Sequence, residues 1–239
     1  MYRLRRLLRR PTVALLLLVS SHQLQAQQAA WDFESTFPLI TGSGTSLSGI
    51  QADFGSGTAS AFHASSLTVW SSPVGNGSSH SFSADHWAVG DYWQFQISSI
   101  GVAPDFITFD QTRSTTGPAQ FKLSYSTDGV NFSSFPSYVV LTNSTSSNNS
   151  GTGHSTVPWN TSSYQTIFTL TNFPGSITLI QNAETVYFRV VCDSAPSSPG
   201  GTSQLDNFYI FSHPIPEPSA VSLFAAFCLL VRCLQARRR

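Results

Sequence analysis

The stretches DYWQFQISS (91–99) and TVYFRVVCD (185–193) decide the fold, because in each the apolar residues fall on every second position. Alternate side chains of a β-strand point to opposite faces of its sheet, so each stretch predicts a strand with one apolar face. The predicted inward positions are Trp93, Phe95 and Ile97 in the first stretch and Val186, Phe188, Val190 and Cys192 in the second. Cys192 is expected there as a small buried hydrophobe.

The same alternation extends to DFITFDQ (105–111), QFKLSYSTDG (120–129) and LDNFYIF (205–211). In DFITFDQ, Ile107 and Phe109 oppose Thr108 and Asp110. About twelve strand-like runs with turn residues between them, and no useful amphipathic helical window, are typical of two packed antiparallel sheets. The sequence therefore predicts an all-β fold, a single antiparallel β-sandwich of jelly-roll type.

Turn chemistry separates these runs. Asp128-Gly129 predicts a hairpin turn, since both residues tolerate the positive φ that tight hairpins need. The polar tract 143–154 is expected to be a long surface loop, and no linker or internal repeat divides the region. One domain is therefore predicted, over residues 27–213.

Charge is distributed unevenly along a chain that is neutral overall. Nine of the twelve basic residues lie at the two ends, whereas residues 27–213 hold three basic and eleven acidic residues, a formal charge of −8. A domain so poor in lysine and arginine has no cationic footprint for phosphate backbones, which argues against nucleic-acid binding.

Residues 1–26 are interpreted as a signal peptide. Five arginines precede the short apolar run VALLLLV (13–19), which is too short to span a bilayer, and small residues follow near Ala26. This predicts export across the inner membrane by the secretory translocon.

The other end, residues 214–239, combines three prolines, an apolar run and terminal arginines. The prolines exclude a helix before about Ser219, and a helix over about 219–236 would just cross a membrane if Arg232 extends its charge to the surface. A plain C-terminal membrane anchor, or a short apolar helix packed on the domain, is the simpler alternative.

The motif Pro216-Glu217-Pro218, followed by an apolar helix and by Arg237, Arg238 and Arg239, resembles the PEP-CTERM sorting signal of Gram-negative bacteria. The resemblance implies recognition and cleavage by an exosortase, a membrane-embedded cysteine protease, and release or transfer to the cell surface. It also implies a link to exopolysaccharide and biofilm. Arg232 interrupts the apolar run and departs from the pattern.

A second resemblance covers most of residues 31–211. The segments WDFE (31–34), YSTDG (125–129) and LDNFYIF (205–211) are similar to the recurrent β-sandwich of PEP-CTERM proteins and, more broadly, to jelly-roll carbohydrate-binding modules. That class has no agreed function, so the resemblance implies a fold and no particular chemistry.

Catalytic motifs are sparse in residues 27–213. Glu34 and Glu184 are the only glutamates there, and neither lies in a pattern that would pair two carboxylates across a glycosidic bond. The segments Gly42-Ser43-Gly44 and Gly55-Ser56-Gly57 lack the Gly-x-Ser-x-Gly elbow of serine hydrolases. We therefore expect a non-enzymatic protein, with a secreted hydrolase as an alternative.

No cofactor or metal site is predicted from sequence motifs, and a structural calcium ion is the one open alternative. Exported acidic sandwiches can bind calcium through loop oxygens, and the candidate ligands here are Asp85, Asp91, Asp110, Asp193 and Asp206. The competing interpretation is that these aspartates cap turns or bond locally.

The aromatic residues Trp87, Tyr92 and Trp159 flank turns or loops and are the candidate glycan contacts. The competing interpretation is that they fill the core. Two functions therefore stay open: a structural or adhesive protein of the cell surface or matrix, and a carbohydrate-binding module that recognises exopolysaccharide.

Overall fold

A computed structural model describes residues 26–36, 43–142, 158–164, 168–171 and 180–215 of the chain, the side chains of 168–171 excepted. The predicted signal peptide up to residue 25, the polar tract 143–154 and the tail from Pro216 onward lie outside the described residues. No helix within the described ranges is long and apolar enough to cross a membrane.

Fourteen strands lie in the described residues. In chain order they are β1 (Ala26–Trp31), β2 (Ser46–Gln51), β3 (Phe54–Gly55), β4 (Thr58–Phe62), β5 (Trp70–Ser71), β6 (Phe82–Ala84), β7 (Tyr92–Ile97), β8 (Val102–Arg113), β9 (Gln120–Ser126), β10 (Ser133–Ser134), β11 (Tyr138–Val139), β12 (Phe168–Thr171), β13 (Val186–Cys192) and β14 (Ser203–Pro214).

The strands form two antiparallel sheets, as the alternating sequence pattern predicts. The first sheet has the order β12-β8-β14-β1-β3, with β6 beside β14 and β5 beside β6. The second has the order β10-β9-β13-β7-β4-β2, with β11 beside β9. The described part of the chain is therefore all-β and sandwich-like.

Aromatic side chains from the two sheets meet in the core. Phe95 of β7 stacks on Phe208 of β14 with ring centroids 3.6 Å apart, and the Trp31 ring of β1 packs edge-on against Phe95 at 5.0 Å. The predicted inward residues of β7 and β13 are all buried, including Cys192, whose pKa burial raises to about 12. The interpretation of Cys192 as a buried hydrophobe is confirmed.

Two local predictions need correction. The connection after β9 is a six-residue loop rather than a tight two-residue turn. Gly129 has a positive φ of 72°, whereas Asp128 does not have a positive φ. Asp128 organises the loop instead, because its carboxylate accepts bonds from the backbone nitrogens of Val130 and Asn131, each at 2.8 Å.

The alternation of LDNFYIF also breaks inside β14. The pairing register with β8 shifts between Asp206 and Tyr209, and Asn207 has φ of 50°. A bulge of this kind adds a residue to one strand, so Leu205 and Phe208 both reach the core although three positions separate them. The prediction that LDNFYIF follows strict alternation is therefore wrong at this point.

Candidate functional site

The outer face of the second sheet carries aromatic, amide and cationic side chains. Because β7 and β13 alternate, Tyr92, Gln94 and Gln96 face outward from β7, and Arg189 and Val191 face outward from β13. Strand pairing places Arg189 opposite Gln94 and Val191 opposite Tyr92. The core face and this outer face thus arise from one period-two pattern.

A groove of about 210 Å³ lies on this face, and we call it the sheet groove. It contains aromatic, cationic and hydroxyl side chains from four strands, β7, β9, β10 and β13, and from the loop after β9. Its lining residues are Gly90, Tyr92, Lys122, Ser124, Phe132, Ser134, Arg189 and Val191. Ligand sites commonly combine aromatic surfaces with a few fixed polar groups in this way.

Arg189, one of the lining residues of the sheet groove, is held between two aromatic rings. Its guanidinium carbon lies 3.9 Å from the ring centroid of Tyr92 and 3.8 Å from that of Phe132. Its Nε donates a 2.8 Å hydrogen bond to Oε1 of Gln94. Burial lowers the pKa of Arg189 from its usual value. The group remains a cation, because arginine is effectively always protonated in proteins. The stacking fixes the plane of the guanidinium group.

Lys122 supplies the second positive charge of the sheet groove. Its Nζ lies 2.6 Å from Oδ1 of Asp193, whose Oδ2 also accepts a hydrogen bond from Ser137. The hydrogen bond from Lys122 is the main cause that lowers the pKa of Asp193. Asp193, one of the candidate calcium ligands, is therefore already used in an ion pair.

A second groove lies further along β7, beside Gln96 and Ile97. This end groove has a volume of about 230 Å³ and is lined by Gln51, Ser56, Gly57, Thr58, Gln96, Ile97, Ser98 and Glu184. Tyr92 in the sheet groove and Gln96 in the end groove share one face of β7, so about 13 Å separates them at the usual strand rise. Gln94 lies between these two residues on the same face of β7.

The three predicted glycan contacts do not come together. Tyr92 lines the sheet groove and stacks on Phe62 with ring centroids 5.8 Å apart. Trp87 is only 4% exposed and packs 4.1 Å from His63 and 4.5 Å from Trp93, so its ring offers no face to a ligand. Trp159 is half-buried in the segment 158–164 and lines neither groove.

Sequence reasoning missed Phe132 and Arg189 as site residues. The outward position of Arg189 was visible in the alternation of TVYFRVVCD. Its contact with Phe132 was not visible, because the two residues are distant in the chain and meet through the pairing of β13 with β9.

Two buried carboxyl groups form a separate cluster, which we call the acid cluster. Asp110 of β8 and Asp206 of β14 are paired across the strands, and both carboxylates accept bonds from Nδ2 of Asn207, at 2.7 and 3.4 Å. Asp206 also accepts 2.7 Å hydrogen bonds from the backbone nitrogen of Asn76 and from Oγ of Ser78.

Burial is the main cause of the unusual titration expected in the acid cluster. It raises the pKa of Asp110 to about 6 and that of Asp206 to about 7. A Cβ at Gly75 would overlap Asp206 Oδ2, Ser78 Oγ and the His80 carbonyl oxygen, which explains a glycine there. Both carboxyls are at most 1% exposed, so a large substrate has no direct access to them.

The described residues contain no group of three or more histidine, cysteine, aspartate or glutamate side chains arranged to hold a metal ion. Of the five candidate calcium ligands, the structure brings together Asp110 and Asp206. Asp85 and Asp91 accept bonds from nearby backbone nitrogens instead, at 2.7 Å from Val69 and 2.8 Å from Ala64. These partners lie 16 and 27 positions away in the chain, so the two contacts are not local bonds. Asp91 also makes a local bond, because its Oδ2 accepts from the backbone nitrogen of Ala88 at 2.6 Å.

Comparisons with known proteins give remote structural likenesses. No family model matches the chain, and no curated protein matches it. Among solved structures, the K2 cleaved adhesin domain of Lys-gingipain is 13% identical, with 60% of this chain and 80% of that chain covered and a TM-score of 0.35. The TmCBM61 structure in complex with β-1,4-galactotriose is 12% identical, with coverage of 80% and 88% and a TM-score of 0.29.

Proposed function

We propose that this chain is an exported, non-enzymatic protein of the cell surface or extracellular matrix, and that its β-sandwich binds polysaccharide through the sheet groove. The observation that carries this proposal is the fixed Arg189, held between Tyr92 and Phe132 on an open sheet face. A purely structural or adhesive role without glycan binding is the competing function.

The chemistry of the sheet groove suits a sugar. The C–H face of a pyranose ring is apolar and packs against aromatic rings, while its hydroxyls exchange hydrogen bonds with amides, hydroxyls and guanidinium groups. Phe132 supplies an aromatic ring, and Tyr92, whose ring already stacks on Arg189 and Phe62, supplies its edge and its hydroxyl. Ser124, Ser134 and Arg189 supply the polar partners. The end groove extends the surface for further sugar units of a chain.

The proposed absence of catalysis rests on where the carboxyl groups lie. Asp110 and Asp206 form a close pair, but they are buried and hydrogen-bonded. Glu184 lines the end groove, and Glu34 accepts a 2.8 Å hydrogen bond from the backbone nitrogen of His80. Glycoside hydrolysis requires two carboxyl groups that flank a bound sugar, and the burial of the Asp110 and Asp206 pair supports a binding role over a catalytic one.

The proposed localisation rests on the sequence of the two ends. Residues 1–26 and 214–239 carry the features of a signal peptide and of a PEP-CTERM tail, which would be handled by the secretory translocon and by an exosortase. On this proposal the tail holds the protein in the inner membrane until it is processed at Pro216-Glu217-Pro218. The mature domain would then meet exopolysaccharide outside the cell.

We expect Tyr92→Ala to weaken polysaccharide binding at least tenfold, because it removes one of the two aromatic rings that hold Arg189 in place. Affinity electrophoresis of the purified protein in gels that contain neutral or acidic bacterial polysaccharides measures the effect. Phe211→Ala is the matched control, since Phe211 also belongs to a stacked aromatic pair, with Phe106 at 4.4 Å, but lies on the first sheet. Absence of retardation in every polysaccharide would exclude the glycan-binding role.

Mass spectrometry of surface-associated protein is expected to show an N-terminus near Gln27 and loss of the residues after about Pro218. The expected change follows from two membrane proteases acting at the two ends. A Glu217→Ala variant is the test of the tail motif and should accumulate with an intact C-terminus. Mature wild-type protein that retains Arg239 would contradict processing and favour a plain anchor.

A further inference from the structure

Positive charge in the acidic domain is concentrated in the sheet groove. Residues 27–213 contain three basic residues, and the structure describes all three. Arg113 is used internally, because its Nε and Nη1 donate to backbone carbonyl oxygens, including that of Val140 at 2.9 Å. The other two, Lys122 and Arg189, both line the sheet groove.

The two cations of the sheet groove differ in their counter-ions. Lys122 has Asp193 as an ion-pair partner at 2.6 Å. Arg189 has no carboxylate within 4.0 Å among the described residues, and its one hydrogen bond there uses Nε. No described residue accepts a hydrogen bond from the two terminal nitrogens of Arg189, and we take these nitrogens as the groups that bind a ligand. A half-buried cation without a counter-ion gains most from an anion that arrives with its ligand.

The two aromatic rings also fix Arg189 in an orientation that suits such a ligand. A free arginine loses side-chain entropy when it forms two parallel hydrogen bonds to a carboxylate. Here the stacking on Tyr92 and Phe132 and the bond to Gln94 have already fixed the guanidinium plane. Planar, two-point recognition of a carboxylate is what a fixed guanidinium group provides best.

We propose that the sheet groove selects acidic polysaccharide, with Arg189 binding the carboxylate of a uronic acid unit while Tyr92 and Phe132 contact the sugar. This inference rests on the proposed glycan-binding function and adds the class of ligand. Lys122 also lines the sheet groove, but Asp193 partly neutralises its charge, so it attracts an anion more weakly than Arg189 does. The remaining surface of the domain is acidic in total and would disfavour binding of such a polymer elsewhere.

The test compares uronate polysaccharides with the same polymers after chemical reduction of their carboxyl groups. Purified protein is titrated with polygalacturonate, alginate and hyaluronate and with each reduced form, at 50 and 500 mM NaCl. We expect at least tenfold tighter binding to one or more charged forms, and weaker binding at the higher salt concentration. Arg189→Gln should remove this preference, Arg189→Lys should retain part of it, and Phe211→Ala should leave it unchanged.

The outcomes separate the two proposals. Equal binding to charged and reduced polymers would overturn the acid selectivity but leave glycan binding intact. Binding to poly-glutamate as tight as to the uronate polymers would show recognition of charge without sugar, and would also overturn the inference. No binding to any neutral or acidic polysaccharide would remove both. A far-UV spectrum and a thermal melt of each variant identify any loss that is due to unfolding.

Discussion

Phe208→Ala is expected to lower the free energy of unfolding by about 3–5 kcal/mol, the usual cost of removing a large aromatic ring from a packed core. Phe208 is fully buried and joins the two sheets, because it stacks on Phe95 of β7 at 3.6 Å and packs beside Phe109 of β8 at 5.7 Å. Loss of the ring leaves a cavity between the sheets that neighbouring strands cannot close without breaking their ladders.

Denaturant unfolding followed by tryptophan fluorescence measures this change, since Trp31 packs 6.2 Å from Phe208. The matched control is again Phe211→Ala, three residues further along β14 on a half-exposed face. We expect its effect to be at most about half as large, because its ring is incompletely buried. Equal effects of the two variants would contradict the placement of Phe208 at the sheet interface.

The acid cluster makes stability depend on pH in a direction opposite to that of most carboxyl groups. The pKa of Asp206 is raised to about 7 in the folded protein, so its protonated form is the one that the fold favours. Its contribution is complete below about pH 4 and is lost as the pH rises through about 7. Asp110, with a pKa of about 6, acts in the same direction.

We therefore expect Asp206→Asn to change the pH dependence of stability. Between pH 5.5 and 8 in EDTA, the wild-type free energy of unfolding should fall by on the order of 2 kcal/mol relative to the variant. The comparison with the variant cancels the contribution of His63 to stability, which is the same in both proteins. Burial lowers the pKa of His63 to about 3, so its contribution falls as the pH drops below about 6.5. Parallel curves for the two proteins would show that Asp206 does not titrate in this range.

The same samples test the structural calcium ion. If calcium binds at Asp110 and Asp206, replacing EDTA by calcium chloride at pH 8 raises the stability of the wild type and not that of Asp206→Asn. The reason is that a divalent cation offsets the charge of two buried carboxylates, which burial alone disfavours. An unchanged melting curve in calcium would leave the cluster as a network of hydrogen bonds.

Local alternation was enough to predict the two-sheet fold and the inward faces of β7 and β13, because those faces repeat every second residue. It failed at Asn207, where one extra residue shifts the register of β14. It also gave no warning that Asp110 is buried, since the groups that bond to its carboxylate include Asn207 of another strand. Contacts of this kind depend on pairing between distant segments.

The binding site was predictable to a lesser degree for the same reason. Tyr92 was identified from its place beside a turn, and it does line the sheet groove. Trp87 has a similar position in the sequence, yet its Nε1 donates to the carbonyl oxygen of Ala84 and its ring turns into the core. For a residue outside a strand, no periodic pattern indicates which way the side chain points.

The pairing of β1 with β14, the first and last of the described strands, constrains the order of folding. Ala26 of β1 lies opposite Ser212 of β14, and Trp31 lies opposite Phe208, so the inner strands of the first sheet combine the two ends of the domain. Contacts over so long a loop form late, because closing the loop costs chain entropy before any bond repays it. On the proposed export route, with the N-terminus crossing the membrane first, this sheet is therefore complete only after β14 has emerged.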